Sequence, residues 1–279
     1  MRIDAHQHFW TLSRGDYGWL TPELAPIYRD FTPADLAPLL EAAGIDGTVL
    51  VQAAPTVDET RFLLSVAAET EFVRGVVGWV DFEAPDAPEQ IAALAEDKYL
   101  VGLRPMIQDI ADPDWILRED LDPAFEAMIA AGLTFDALTL PRHLKNLLAR
   151  LRRHPDLRVV IDHGSKPLIR DGVRKGWAGD MAALARETGA YCKLSGLVTE
   201  AGAGWSVGQL RPYVDHLLAQ FGPERVIWGS DWPVCTLVAS YADWTRATVE
   251  LLGDLTSEER AAVFGGNAER AYRLAKAEQ

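Results

Sequence analysis

Arg2-Ile3-Asp4-Ala5 is a short β-rich run that passes without a break into His6-Gln7-His8. Side chains at i and i+2 of a strand face the same way, so His6 and His8 are placed to converge on one point. Outward from this stretch the same form recurs, with β-rich runs at 47–51, 76–80, 100–103, 134–137, 158–161, 191–194 and 226–229. Helical windows alternate with them at 33–43, 59–70, 87–96, 123–131, 143–153, 177–188 and 213–221. Thr32-Pro33 and Asp122-Pro123 each pair a capping side chain with a proline suited to a first helical turn. Gly44, Gly132 and Gly189 close three windows. Eight strands separated by helices predict a single α/β domain over residues 1–279, a (β/α)8 TIM-type barrel, distorted, whose first connection is long.

That connection, residues 9–31, carries Trp10, Tyr17, Trp19, Leu20, Tyr28 and Phe31. In a barrel it lies over the mouth and is a candidate lid. No glycine-rich phosphate loop follows the first strand, so nucleotide binding has no support, and no internal repeat is visible.

The chain has 279 residues, 48% of them hydrophobic and 24% charged, enough to bury a large core. Its formal net charge of -14 argues against nucleic acid or an anionic membrane surface as partner and favours a small-molecule substrate. Cys192 and Cys235 sit singly in apolar surroundings and read as buried reduced thiols, which places the chain in the cytoplasm. The first ten residues lack an apolar signal core, and no window reaches the ~18 apolar residues of a membrane span.

Polar residues at strand ends carry the chemical reading. The last strand, Val226-Ile-Trp-Gly-Ser-Asp-Trp-Pro, delivers Asp231 to the mouth faced by the histidine pair. A carboxylate there can take a proton from water and return it to a leaving group, although Ser-Asp also suits a helix cap. The sixth strand ends in Asp162-His163-Gly164, bringing His163 to the same level, while Asp162 faces outward or orients a neighbour. Arg104 after the fourth strand and Lys193 in the seventh are cations able to polarise a carbonyl or hold a substrate anion, or else to form structural ion pairs. Trp10, Trp79 and Trp232, near strand ends, could stack on a substrate ring or pack the rim. His143, His154 and His216 read as solvent residues.

The His-x-His opening, Asp-His-Gly-Ser-Lys-Pro at 162–167, Lys-Leu-Ser-Gly-Leu-Val-Thr-Glu-Ala at 193–201 and Gly-Ser-Asp-Trp-Pro-Val-Cys at 229–235 resemble the amidohydrolase superfamily. The likeness is to its lactonase branch, sugar lactonases of the L-fuconolactonase and L-rhamnonolactonase type, and it runs from His6 to Tyr272. It implies a barrel that opens a small cyclic ester. Asp231 would be general base and then acid, with His6, His8, His163, Arg104 and Lys193 stabilising charge on the carbonyl oxygen. It also implies a possible set for one divalent metal, zinc, in His6, His8, His163 and Asp231. The predicted fifth strand offers no histidine, where mononuclear metal members have one, and proline follows Arg104 where the family often has histidine. Reaction without a metal is therefore expected alongside reaction with one.

Two other activities stay open. One is a lactonase of aromatic-degradation intermediates, pyrone or muconolactone in type, which would call for clustered arginines such as Arg170 and Arg174 beside Arg104. The other is a zinc-dependent decarboxylase or hydratase of an unsaturated carboxylic acid.

Overall fold

A computed structural model describes residues 1–274. Eight parallel strands follow one another round the sheet in chain order: β1 (Ile3–Gln7), β2 (Gly47–Val51), β3 (Val73–Gly78), β4 (Leu100–Leu103), β5 (Thr134–Ala137), β6 (Val159–Ile161), β7 (Tyr191–Leu194) and β8 (Val226–Trp228). Outside them lie α1 (Pro33–Ala43), α2 (Val57–Glu69), α3 (Ala87–Leu94), α4 (Asp122–Ala131), α5 (Leu144–Arg153), α6 (Trp177–Glu187), α7 (Leu197–Ala201), α8 (Val207–Phe221), α9 (Tyr241–Leu251), α10 (Ser257–Ala261) and α11 (Asn267–Tyr272). The expected (β/α)8 barrel is the observed one. Strand β3 begins three residues earlier than its pattern suggests, because Val73 already pairs with Thr48.

Local chemistry starts and stops the helices. The Thr56 hydroxyl accepts the N–H of Glu59 at 3.0 Å, and the Asp35 carboxylate reaches back to the N–H of Thr32 at 2.9 Å. Gly44 and Gly132 end α1 and α4 in the left-handed region, at φ 63° and 69°.

Two cores result. Leu36, Leu63, Leu147, Leu184 and Leu217 belong to the layer between strands and helices. Inside the barrel, Ile3, Ala5, Val49, Val51, Val77, Val160 and Ile227 pack against Ala268, Ala271 and Tyr272 of α11. Because Thr134, the first residue of β5, donates to the carbonyl of Ala271 at 2.7 Å, α11 plugs the N-terminal end and leaves the other end for chemistry. Each such aliphatic side chain removed from water contributes roughly 1.5–3 kcal/mol.

Strand β1 is bulged. Asp4 pairs with Thr48 and Gln7 with Leu50, so β1 holds one residue more than β2 over this stretch. The bulge turns consecutive residues Ala5 and His6 to the barrel interior and sends Asp4 outward, where it accepts from the N–H of Ser230 at 2.7 Å and from Tyr241. Simple alternation does not foresee this.

Residues 9–31 are pinched at their base by reciprocal backbone bonds between Trp10 and Phe31, at 3.1 and 3.0 Å. Trp10, Tyr17, Leu20, Ile27 and Phe31 are buried, and the Trp19 indole N–H reaches the carbonyl of Ala53 at 2.7 Å, just beyond β2. Both cysteines are free and buried. Among the described residues no helix is long and apolar enough to cross a membrane.

Candidate active site

The barrel closes between β1 and β8, and the closure builds the site. The N–H of Asp231 donates to the carbonyl of His6 and that of His8 to the carbonyl of Trp232, each at 2.7 Å. Asp231 Oδ1 then stands 3.3 Å from His8 Nε2, 3.6 Å from His6 Nε2 and 4.0 Å from His163 Nε2. The four residues singled out from strand ends are thus gathered round one carboxylate oxygen.

Backbone strain accompanies this placement. Asp231 has φ 57°, and His163, Gly164, Ser165 and Lys166 form an unbroken left-handed run at 53°, 55°, 59° and 49°. Each non-glycine residue held so costs on the order of 1–3 kcal/mol, so the surrounding fold has to enforce it. For His163, a 2.9 Å hydrogen bond between Nδ1 and the Ser195 hydroxyl fixes the ring.

Electrostatics divide the roles. Burial by itself would raise Asp231, but His163, His8 and His6 hold its carboxyl well below the usual range. Burial pushes His163 down to about 4, against the pull of Asp231 and Asp162. Burial and then the nearby Lys193 charge push His6 well below its ordinary value. Near neutral pH the site therefore sets an ionised carboxylate against uncharged His6 and His163 imidazoles. That is a proton acceptor facing donors, and also the ligand state a metal needs.

The cations stand behind the histidines. Arg104 donates through Nη2 to Gln52, to its backbone carbonyl and to its side-chain oxygen (2.8 Å). Its Nη1 lies 3.3 Å from Asp162 and 3.4 Å from His6 Nε2. Lys193 Nζ lies 2.5 Å from Asp136 Oδ2, 3.0 Å from Asp162 Oδ1 and 3.2 Å from His6 Nδ1. Asp162 is wholly buried and turned inward, which corrects the outward alternative while agreeing with a role in orienting neighbours. Asp136 of β5 takes part in this buried cluster and was missed. The available signal was an acidic residue in an otherwise apolar run, which cannot be buried without a partner.

Among the remaining residues singled out from the sequence, His143 and His154 depart from expectation. Trp10 and Trp232 are 0% and 3% exposed and meet Phe31 edge-on at 5.4 and 5.1 Å, the packed arrangement that was one of their two readings. Half-buried Trp79 falls just past β3, where its N–H and carbonyl are both bonded to the Thr60 hydroxyl. His143 and His154 are buried rather than solvated, and His216 is half-buried against the carbonyl of Ala178. Arg174 points to the Pro212 carbonyl at 3.1 Å, and the Arg170 guanidinium lies over Gly202. Asp4, Gln52 and Ser195, which hold the site from behind, had no distinctive sequence signal.

One group of described residues fits a single cation: ligand atoms of His6, His163 and Asp231 lie within 4.8 Å of one another. Three protein ligands of these types suit a catalytic divalent site such as zinc, whose fourth position goes to water or substrate. His8 lies outside that group. Its Nδ1 is 2.8 Å from the Val51 carbonyl, to which it donates.

A family model described as amidohydrolase matches residues 3–274. The L-fucono-1,5-lactonase of Burkholderia ambifaria is 50% identical over 277 residues, covering 98% of this chain and 96% of that protein. The L-fucono-1,5-lactonase of Burkholderia multivorans is 38% identical, with the same coverage. An amidohydrolase from Burkholderia multivorans, crystallised with zinc bound, superposes with a TM-score of 0.93 at 36% identity, over 99% of this chain and 100% of that one.

Proposed function

The chain belongs to the amidohydrolase family, and from that premise we propose that it hydrolyses a sugar lactone, L-fucono-1,5-lactone or a close analogue, to the aldonic acid. The observation that carries the reading is an ionised Asp231 ringed by three histidines at the mouth, in a chain half identical to a lactonase of that substrate.

Asp231 takes a proton from water, and the oxygen of that water attacks the lactone carbonyl carbon. Negative charge gathers on the carbonyl oxygen, where donor groups of His6 and His163 stabilise it, with Arg104 contributing positive charge from behind. The bond from the carbonyl carbon to the ring oxygen breaks, and Asp231 passes its proton to that oxygen. A free hydroxy acid results. Lactones are activated esters, so a general base suffices for attack. His6, His163 and Asp231 are the residues that would hold a divalent ion such as zinc; when bound, it would polarise the carbonyl and acidify a water. The orientation of Arg174 towards Pro212 weighs against a multiply anionic aromatic-degradation lactone and in favour of an uncharged sugar.

The test is a pH-indicator screen of L-fucono-1,5-lactone and a panel of aldonolactones, with and without chelator. Acid release from the 6-deoxy sugar lactones is expected, and no release from any sugar lactone would overturn the reading.

A further inference from the structure

Two motifs of the sequence each carry a charge that the reaction just described leaves unused: Lys166 in Asp-His-Gly-Ser-Lys-Pro and Glu200 in Lys-Leu-Ser-Gly-Leu-Val-Thr-Glu-Ala. Both are half-buried, and both belong to connections at the mouth, Lys166 three residues after His163 and Glu200 in α7 after β7.

The backbone brings them together beside the site. Lys166 ends the left-handed run at φ 49°, and its N–H donates to the carbonyl of His163 at 2.9 Å. Four residues on, the N–H of Arg170 donates to the carbonyl of Glu200 at 3.2 Å, so this connection runs alongside α7. That helix starts against the His163 ring: a Cβ built on Gly196 would lie 2.6 Å from His163 Nδ1. Glu200 stands one turn further along the same face, its N–H bonded to the carbonyl of Gly196 at 3.3 Å. Helical side chains lean toward the N-terminus, so Glu200 leans back toward the end of α7 that meets His163.

Electrostatics agree with this placement. Burial raises the Glu200 carboxyl, the Lys166 charge draws it back, and the Asp231 carboxylate pushes it up again. The Lys166 charge also bears on His163. Each charge is thus within electrostatic reach of the other and of the reacting groups. Among the described residues, however, neither side chain has a hydrogen-bond or ion-pair partner, in contrast to Arg104 and Lys193. An ammonium and a carboxylate held apart in this way call for a group that accepts from one and donates to the other. A hydroxyl does both. An ester carbonyl only accepts, and an anionic substituent would be repelled by Glu200 and Asp231.

We propose that Lys166 and Glu200 are the hydroxyl-recognition pair of the barrel, Lys166 donating to and Glu200 accepting from a ring hydroxyl of an uncharged polyhydroxylated lactone whose carbonyl faces Asp231. The inference rests on the lactonase reading and adds to it the residues that select a sugar lactone over a bare one.

δ-Valerolactone is the six-membered ester ring without hydroxyls, so it has nothing to offer the pair. Lys166→Met and Glu200→Gln keep side-chain size and remove the charge. In each, the ratio of kcat/KM for L-fucono-1,5-lactone to that for δ-valerolactone should fall about tenfold from its wild-type value, through loss of a charge-assisted hydrogen bond. Damage to the histidine cluster would instead lower both rates and leave the ratio where it was, which overturns the inference. Where δ-valerolactone turnover is below detection, the kinetics on L-fucono-1,5-lactone decide: KM about tenfold higher with kcat within threefold supports the pair, and unchanged KM overturns it. Wild-type turnover with neither ratio nor KM altered in the variants overturns the inference alone. Absence of wild-type turnover on every sugar lactone overturns the lactonase reading, and this inference with it.

Discussion

The backbone N–H of Asp231 donates to the carbonyl of His6 at 2.7 Å, so the bond that closes the barrel also joins the proposed base to the first histidine of the site. Site geometry and barrel closure are one structural event. Asparagine is the informative replacement for Asp231, because it tolerates the left-handed backbone and keeps the side-chain shape. Asp231→Asn should lower kcat by roughly a hundredfold or more through loss of the general base, with KM changed little. Steady-state kinetics on L-fucono-1,5-lactone check this, and retention of more than a tenth of wild-type kcat would sink the assignment.

The closing seam has little slack. A Cβ built on Gly229 would lie 2.7 Å from the Cβ of His6 and 3.0 Å from its backbone nitrogen. Gly229→Ala must therefore push β8 away from β1, costing about 1–3 kcal/mol. Since the displaced atoms belong to His6, activity should fall as well, even at temperatures where the variant is fully folded. Thermal unfolding and kcat measured on the same sample separate the two effects.

How much of this was legible beforehand follows from where the information lies. Strand-end residues His6, His8, His163 and Asp231 could be read because period-2 strands followed by polar residues have few ways to fit a barrel mouth. Lys193 could be named but not assigned, because its partners Asp136 and Asp162 come from β5 and the end of β6. Only closure of the sheet brings those strands together with β7. The bulge after Asp4 was invisible for a related reason: it is a property of β1 pairing with β2, not of β1 alone. Trp10 and Trp232 kept two readings because an aromatic residue near a mouth reads alike whether it lines the cavity or packs beneath the loop. The pinch between Trp10 and Phe31 settles that in space.

Glu59 supplies a pH-dependent contribution to stability. It is buried at the start of α2, accepting the N–H groups of Ala53 (3.0 Å) and Ala54 (2.6 Å), and burial pushes it up to about 7 from 4.5 despite those bonds. A carboxyl with a raised folded-state pKa contributes stability that is fully present below 4.5 and is lost as pH rises through about 7. The contribution is on the order of 3 kcal/mol. Glu59→Gln does not titrate, so the variant should be more destabilised relative to wild type at pH 5 than at pH 8. Denaturant unfolding at the two pH values checks this, and an equal difference at both would show that Glu59 is not shifted.

Trp19 offers a way to separate the loop from the chemistry. It is 37% exposed, its ring meets Trp10 edge-on at 5.6 Å, and its N–H holds the carbonyl of Ala53 at 2.7 Å, so it pins residues 9–31 to the end of β2. Trp19→Phe keeps an aromatic edge against Trp10 and deletes the hydrogen bond, worth roughly 0.5–1.5 kcal/mol. None of the groups round Asp231 is touched. If the loop helps to retain substrate over the mouth, KM should rise several-fold, up to about tenfold for the upper end of that range, while kcat stays within twofold. A fall in kcat at unchanged KM would instead place Trp19 in the ordering of the histidines, through Trp10 and the neighbouring His8 ring 6.3 Å beyond it.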